Sequence, residues 1–392
     1  MAERLDWTDR VLELDVGPIA HGGHCVARFG DGPGRVVFVR HALPGERVRA
    51  VVTEDGGGAF CRADAITVLT PAPTRVEAPC VWARAGGCGG CDLQHATPAA
   101  QRALKAAVVR EQLHRLAGID REVEVEELPG GALGWRQRVR LAVDDEGRAG
   151  LRAHRSHEVL PIADCLLAPA GTLPPVLAGR FDPGSEVEVV VHADGVVHAA
   201  GEGTHGRIAA RAAGREWMLS PGTFWQVHPA LAETLAAVVG EWVDAPRGGT
   251  AWDLYGGVGL FAAVLAGQVG RDGVVTVVES SRRAVDDGRA ALADLPQVGW
   301  RVGRVERVLD GLAGRPDVVV ADPPRKGLGA SLVDALCARA PDRVVHVACD
   351  PAALARDVAL FAERGYGLAE LRAFDAFPMT HHMECVALLA RD

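Results

Sequence analysis

Ala251-Trp-Asp-Leu-Tyr-Gly-Gly-Val-Gly-Leu-Phe261 is the stretch on which the fold turns. Ala251–Tyr255 predicts a strand, the glycines predict a tight turn, and Leu260–Gly267 predicts a helix. Glycines allow a backbone to approach a ligand closely, and the first turn of a helix offers N–H groups without partners. Asp253 precedes the glycines and their spacing is Gly-Gly-x-Gly. That is not the dinucleotide fingerprint, so no pyrophosphate is expected here. Val274–Glu279 reads as the next strand. Glu279 ends it, about twenty residues beyond the last glycine, where a carboxylate can accept from both hydroxyls of a ribose.

Outward from this unit the pattern repeats. Leu231–Trp242 and Ser281–Leu295 read as helices, and Asp317–Ala321, Arg343–Ala348 and Val386–Ala390 as strands. Apolar strands alternating with helices predict a doubly wound, Rossmann-like α/β sheet, which binds ligands at the carboxyl ends of its strands. Three motifs fall at such ends. Asp322-Pro-Pro-Arg-Lys-Gly327 follows one strand. Its prolines remove two donors and stiffen the loop, leaving carbonyls and one carboxylate for a flat polar base. Cys349 ends another strand, and Pro351–Phe361 reads as the following helix, so the helix N-terminus should favour thiolate. Phe377-Pro-Met-Thr-His-His-Met-Glu384 ends on a carboxylate just before the last strand, a natural general base. Cys385 alternates to the opposite face and is assigned no chemistry.

Residues 11–70 differ. Alternating stretches such as Arg35–Arg40 and Glu46–Val52 are separated by Gly22-Gly23, Gly30-Asp-Gly32, Pro44-Gly45 and Gly56–Gly58. About sixty residues of short strands suit a five-stranded oligonucleotide-binding barrel. Pro71, Pro73 and Pro79 follow as a stiff linker. Residues 80–95 form a cysteine- and glycine-rich loop. Thr97 as N-cap, Pro98 in the first turn and Gly118 as the stop delimit a helix. Residues 123–210 return to strands and loops.

The chain has 392 residues, 48% of them hydrophobic, a formal net charge of −9, and nine cysteines. No apolar run approaches the ~18–20 residues that span a bilayer, and Met1–Arg10 is charged with no apolar stretch behind it. A soluble cytoplasmic protein without membrane contact is expected. The acidic balance argues against a polyanionic partner over the whole surface. Locally, Arg136, Arg138 and Arg140 recur at strand period, with Arg152 and Arg155 close by, which suits phosphate contacts on one face. Disulfides are not expected in a reducing compartment, so clustered cysteines point to metal or catalysis. Cys80, Cys88 and Cys91 with the distant Cys165 provide four thiolates, suited to a [4Fe–4S] cluster or to tetrahedral zinc. Cys25, Cys61 and Cys337 read as packed residues.

Together these motifs resemble the bacterial iron–sulfur RNA (uracil-5-)-methyltransferases across essentially the whole chain. The resemblance rests on Gly17-x4-Gly-Gly23 and Ala42–Glu46 for the family's amino-terminal TRAM barrel, and on Phe224-Trp-Gln-Val-His228. It also rests on Asp322–Arg325, Ala348-Cys-Asp-Pro351 and Phe377–Glu384. It implies a TRAM (OB-like) barrel at 1–72, a central α+β iron–sulfur domain at 73–96 and 119–219, and a class I methyltransferase domain at 97–118 and 220–392. S-adenosylmethionine would lie against Gln226, Asp253, Tyr255, Gly257, Glu279 and Asp322, with Gln226 and Asp322 also placed to hold the base. Cys349 would add to C6 of a uracil, and Glu384 would remove the C5 proton after methyl transfer. Cys80, Cys88, Cys91 and Cys165 would hold [4Fe–4S]. The implied partner is RNA, 23S ribosomal RNA first and transfer RNA second, met by a monomer. Two positions depart from the family: Asp350 replaces an asparagine beside the nucleophile, where it would either oppose thiolate or cap the next helix, and His228 replaces another. The spacing from Cys80 to Cys88 is also longer than usual. The competing class is a non-catalytic RNA-binding or chaperone module on the same fold, which the intact Cys349, Glu384, Asp322 and Gly257 disfavour.

Overall fold

The computed structural model describes residues 6–30, 34–192, 195, 197–200 and 206–391. Asp31 and Gly32 of the expected barrel turn lie outside them. Strands β1 (Val11–Ala20), β2 (His24–Phe29), β3 (Arg35–Arg40), β4 (Arg47–Asp55) and β5 (Phe60–Thr70) close a barrel in the order β1-β2-β3-β5-β4. Alternation drives the closure. Leu12, Leu14 and Val16 on β1 and Val48, Ala50 and Val52 on β4 point inward to one core.

Helix α1 (Pro98–Gln112) starts where Thr97 Oγ1 accepts from Ala100 N–H. One wider turn, Leu113–Ala117, carries it to Gly118, whose φ of +66° ends it. Its apolar face joins the core of the carboxyl-terminal sheet. There Val109 and Leu113 share a cluster with Leu354 and Val358. Lys105, one of two lysines in the chain, is buried on this helix. Its ammonium donates to Asp375 Oδ1 (2.5 Å) and to the Phe377 carbonyl (3.1 Å).

The chain then makes a short strand β6 (Val125–Glu127). The expected central domain begins at residue 119, yet β6 pairs in parallel with a strand of the carboxyl-terminal sheet. The boundary therefore moves past it. The physical cause is local: α1 ends at that sheet's edge, and Arg372 grips Glu126 with two hydrogen bonds of 2.7 and 2.6 Å. The central sheet comprises β7 (Arg138–Val143), β8 (Ala149–Arg152), β9 (Val159–Leu160), β10 (Glu186–Val191) and β11 (Val197–Ala200), ordered β11-β10-β7-β8-β9. The short helix α2 (Pro174–Leu177) lies between β9 and β10. A hairpin of β12 (Ile208–Ala212) and β13 (Arg215–Leu219) follows.

The carboxyl-terminal region is the doubly wound sheet. After α3 (Leu231–Val243) come β14 (Thr250–Leu254), α4 (Leu260–Val269), β15 (Val274–Glu279), α5 (Arg282–Ala291) and β16 (Val298–Val302). The chain continues through α6 (Val305–Val308), β17 (Val318–Ala321), α7 (Ala330–Ala338), β18 (Arg343–Ala348), α8 (Pro351–Ala362), β19 (Tyr366–Asp375) and β20 (Glu384–Arg391). Their order is β16-β15-β14-β17-β18-β20-β19-β6. Strand order reverses between β14 and β17, which places a ligand crevice there. The sheet is parallel from β16 to β18, and β20 runs antiparallel to β18. The start of β20 thus lies on the rim formed by the ends of β14, β15, β17 and β18. Among the described residues no helix is long and apolar enough to cross a membrane.

The buried Lys105–Asp375 pair ties α1 to this sheet. Lys105→Met would leave Asp375 buried without its partner and should lower stability by about 3–5 kcal/mol, measured by urea unfolding. A Lys105→Met, Asp375→Leu double variant should recover most of that loss.

Candidate active site

A cavity of about 880 Å³ opens on the sheet rim. Gln226, Tyr255, Gly257, Glu279, Asp322, Cys349 and Glu384 all line it. The sequence reading thus assembles on one wall, with one exception. Asp253 lies beneath the glycine loop, fully buried and off the cavity wall. Its Oδ2 accepts from Ala262 N–H (2.8 Å), while Oδ1 is buried with no partner. Burial pushes its carboxyl up to about 8, the Ala262 hydrogen bond opposing.

The loop above it needs its glycines. A Cβ on Gly256 would lie 2.5 Å from Val277 Cγ1 and 2.9 Å from the Asp253 carboxylate. Gly257 and Gly259 have φ of +55° and +84°, and Tyr255 adopts a left-handed φ of +60°. Glu279 closes the loop from the next strand. Its Oε2 accepts from Gly257 N–H (3.1 Å) and its Oε1 from Ser281 N–H (2.5 Å). The carboxylate faces the cavity at the site expected for a ribose.

The chemistry-bearing end lies between β17, β18 and β20. Asp322 follows β17, Cys349 follows β18, and Glu384 is the first residue of the antiparallel β20. Glu384 is buried, and its Oε1 has no hydrogen-bond partner. Burial drives its carboxyl well above the usual range, the neighbouring Asp322 adds to this, and Arg325 opposes. Burial likewise pushes Asp322 up to about 7, against an opposing His346. The same crowding overturns the expectation of a ready thiolate. Burial, followed by Glu384 and Asp322, pushes the Cys349 thiol up to about 11. The charge of two nearby carboxyls and the loss of water outweigh the helix N-terminus. Asp350 takes the capping role: its Oδ1 accepts from Ala353 N–H (2.8 Å) at the start of α8.

Two clamps hold this end. Asp357 on α8 accepts from Leu328 N–H (2.7 Å) and Gly329 N–H (3.0 Å), and it contacts His346 Nε2 (3.0 Å). The loop after Asp322 is thereby fixed. The Phe377–Glu384 segment is held by α1 and the cysteine loop. Met379 N–H donates to Gln101 Oε1 (2.8 Å), Asp92 N–H and Leu93 N–H donate to the Met379 carbonyl (2.9 and 3.0 Å), and His381 Nδ1 meets Asp92 Oδ2 (2.6 Å).

Gln226 faces the cavity, with Phe224 two residues before it, 63% exposed for so large an apolar ring. Phe224 was not singled out from sequence, although it opens the Phe224–His228 motif. It offers a stacking face for a base. His228 is buried, packs parallel to Trp135, and accepts from Ala230 N–H through Nδ1 (3.2 Å). Burial pulls its imidazole down to about 4, so it is neutral and shapes the turn into α3. The expected arginine face is only partly available. Arg136 and Arg138 line the cavity, and Arg138 donates to the Thr223 carbonyl (2.7 Å). Arg140 and Arg152 both pair with Glu186, and Arg155 with Glu54 of the barrel.

Cys80, Cys88, Cys91 and Cys165 line one small cavity, walled by Trp82, Leu151 and Ile162. Gly90 N–H donates to Cys88 Sγ (3.3 Å) and the Gln94 amide to Cys91 Sγ (3.0 Å). Among the described residues, no three histidine, cysteine or acidic side chains converge closely enough to hold one metal ion. A single zinc ion needs every sulfur about 2.3 Å from one centre. Cys25, Cys61 and Cys385 are buried, whereas Cys337 is only half-buried.

Comparison with known proteins agrees with this geometry. Residues 313–392 match the tRNA (Uracil-5-)-methyltransferase family, and residues 9–64 match the TRAM domain. An uncharacterized RNA methyltransferase of Streptomyces avermitilis is 45% identical, covering 96% of this chain and 97% of that one. The 23S rRNA (uracil(1939)-C(5))-methyltransferase RlmD of Chromohalobacter salexigens is 33% identical, covering 97% and 89%. The crystal structure of the Pyrococcus abyssi tRNA (uracil-54, C5)-methyltransferase, in complex with S-adenosyl-L-homocysteine, superposes with a TM-score of 0.72. It is 22% identical and covers 97% of this chain and 100% of that one, so the whole fold is shared.

The crowding is open to a direct check. Asp322→Asn and Glu384→Gln each remove a carboxyl that would otherwise ionise beside the thiol. Each should lower the apparent pKa of Cys349 and speed its alkylation by iodoacetamide at pH 8, followed by mass spectrometry of the Cys349 peptide.

Proposed function

This chain belongs to the RNA uracil-5-methyltransferases, enzymes that use S-adenosylmethionine, and from that premise we propose that it methylates C5 of a uridine in 23S ribosomal RNA through a covalent Cys349 adduct. The observation that carries the adduct is the meeting of Cys349, Asp322 and Glu384 at one end of a cavity whose other end is the glycine loop. Uracil C5 is a poor nucleophile until C6 has been attacked. Cys349 forms a bond from Sγ to C6, and the ring electrons move to C5 and O4. S-adenosylmethionine would supply the methyl group to C5, its S–CH3 bond breaking as the C5–CH3 bond forms and S-adenosylhomocysteine leaving with that electron pair. Glu384 then takes the proton from C5, and the C6–S bond breaks with its electron pair returning to Cys349.

The other residues position. Glu279 receives the ribose hydroxyls, Gly257 and Tyr255 border the cofactor, and Asp253, off the cavity, braces the glycine loop from beneath through Ala262 N–H. Gln226 and Asp322 take the polar edge of the base, with Phe224 stacking on it. A uridine must leave its stack to reach this depth. The choice of ribosomal RNA rests on the RlmD relatives. An RNA substrate of that kind places the work in the cytoplasm, and the chain is read as acting as a monomer.

We read the four cysteines around this cavity as ligands of a [4Fe–4S] cluster, since their sulfurs do not converge on one centre as a single zinc ion requires, whereas a cluster takes one thiolate at each of four irons. Such a cluster would supply a covalent tie between the loop carrying Cys80, Cys88 and Cys91 and the segment carrying Cys165. Anaerobically purified protein should hold about four iron and four sulfide per chain and absorb near brown. Cys165→Ser should lose most of the iron, and protein free of iron and sulfide would contradict the assignment.

The activity is tested by adding the chain to RNA from a strain lacking its gene and mapping 5-methyluridine. The mark should appear in 23S ribosomal RNA and vanish with Cys349→Ala. Appearance in transfer RNA alone would redirect the substrate. Because Glu384 must be a carboxylate and Cys349 a thiolate, and both are held protonated above their usual ranges, the methylation rate should climb from about pH 6 through pH 9.

A further inference from the structure

The loop between β1 and β2 reaches from the barrel to the back of the nucleophile. Gly23 packs so tightly there that a Cβ would lie 2.7 Å from His381 Cβ and 3.2 Å from Asp92 Cβ. Two residues earlier, His21 Nε2 meets Asp350 Oδ2 at 2.9 Å. A cavity of about 150 Å³ lies behind the contact, bordered by His21, Lys105, Arg325, Cys349 and Asp350. Asp350 is the residue after Cys349, and its other oxygen caps α8. A helix cap needs only one carboxylate oxygen. The second oxygen, with the remaining negative charge, is taken by a residue 329 positions away on another domain.

We propose that His21 is a positioning residue for Cys349: its bond to Asp350 turns that carboxylate away from the thiol and so offsets the charge that an aspartate brings beside a nucleophile. This rests on the reading of Cys349 as the attacking group. The surrounding charges are consistent with it. Cys349 faces Glu384, Asp322 and Arg325. Asp350 faces His21 and Arg356, while His21 faces Asp350, Arg356 and Glu111. The bond to Asp350 raises the His21 imidazole above its ordinary value, and the same bond helps hold Asp350 below its own, against burial. The barrel would therefore act on the chemistry as well as on RNA.

The test is the pH dependence of Cys349 alkylation in the full chain without RNA, read from the Cys349 peptide. His21→Ala frees the carboxylate to approach the thiol. The apparent thiol pKa should rise by roughly one unit, the size of shift that a like charge at close range produces, and alkylation near pH 8 should slow about tenfold. Adding Asp350→Asn should return the profile to that of the wild type, because an amide carries no charge to hold. A His21→Ala profile that overlays the wild type would overturn the proposal, as would a shift that persists in the double variant. Should His21→Ala fail to fold, Asp350→Asn alone decides. A thiol pKa equal to that of the wild type supports the proposal, and a lowered one shows that the carboxylate already acts on the thiol and overturns it. Alkylation needs no turnover, so it stays informative even if Cys349→Ala still methylates RNA, a result that would sink the nucleophile reading alone.

Discussion

Two carboxyls and a thiol meet at one end of the sheet with the Arg325 guanidinium beside them. Most of the site follows from this crowding. In water each of these groups would settle its own proton. On a rim that water reaches poorly, the charges cannot all form at once, so Asp322, Glu384 and Cys349 are each held toward the neutral state. A carboxyl of raised pKa is a stronger base once ionised, which is what abstraction of a carbon-bound proton requires.

Strand direction creates the crowding. Had β20 run parallel to β18, Glu384 would stand at the far edge of the sheet. Its antiparallel course, in register with β18 from Ala348–Cys385 onward, brings it beside the nucleophile. Everything outside the sheet then braces this end. Helix α1 holds the Phe377–Glu384 segment through Lys105 and Gln101, the cysteine loop holds it through Asp92 and Leu93, and the barrel packs Gly23 against its His381 while His21 bonds Asp350 beside the nucleophile. The three parts of the chain meet at the motif that ends on Glu384.

Much of this is legible in the sequence. The glycine loop, the prolines after Asp322 and the proline after Cys349 mark strand ends because backbone geometry admits few other residues there. The caps Thr97 and Asp350 are readable because their side chains suit the free N–H groups of a helix start. Other features depend on contacts distant in sequence. Polar residues interrupt the apolar pattern of Val298–Val302 and Tyr366–Asp375, and only pairing in the sheet marks them as strands. Val125–Glu127 joins the carboxyl-terminal sheet through a partner some 248 residues later. A helix N-terminus beside Cys349 is visible in sequence, and the two carboxyls folded beside it are not. The acidic partners of Arg140, Arg152 and Arg155 were hidden likewise.

The central claim is that Cys349 adds to the uracil before the methyl group leaves its donor and that a proton must then be lost from C5. RNA carrying 5-fluorouridine at the target, incubated with the enzyme and S-adenosylmethionine, tests this directly, because fluorine cannot leave C5 as a cation. The account predicts a stable one-to-one protein–RNA complex, with the methylated 5-fluorouridine bonded to Cys349 in the digested peptide. Methyl transfer to the fluorinated RNA with no complex, or a complex through another residue, would contradict it.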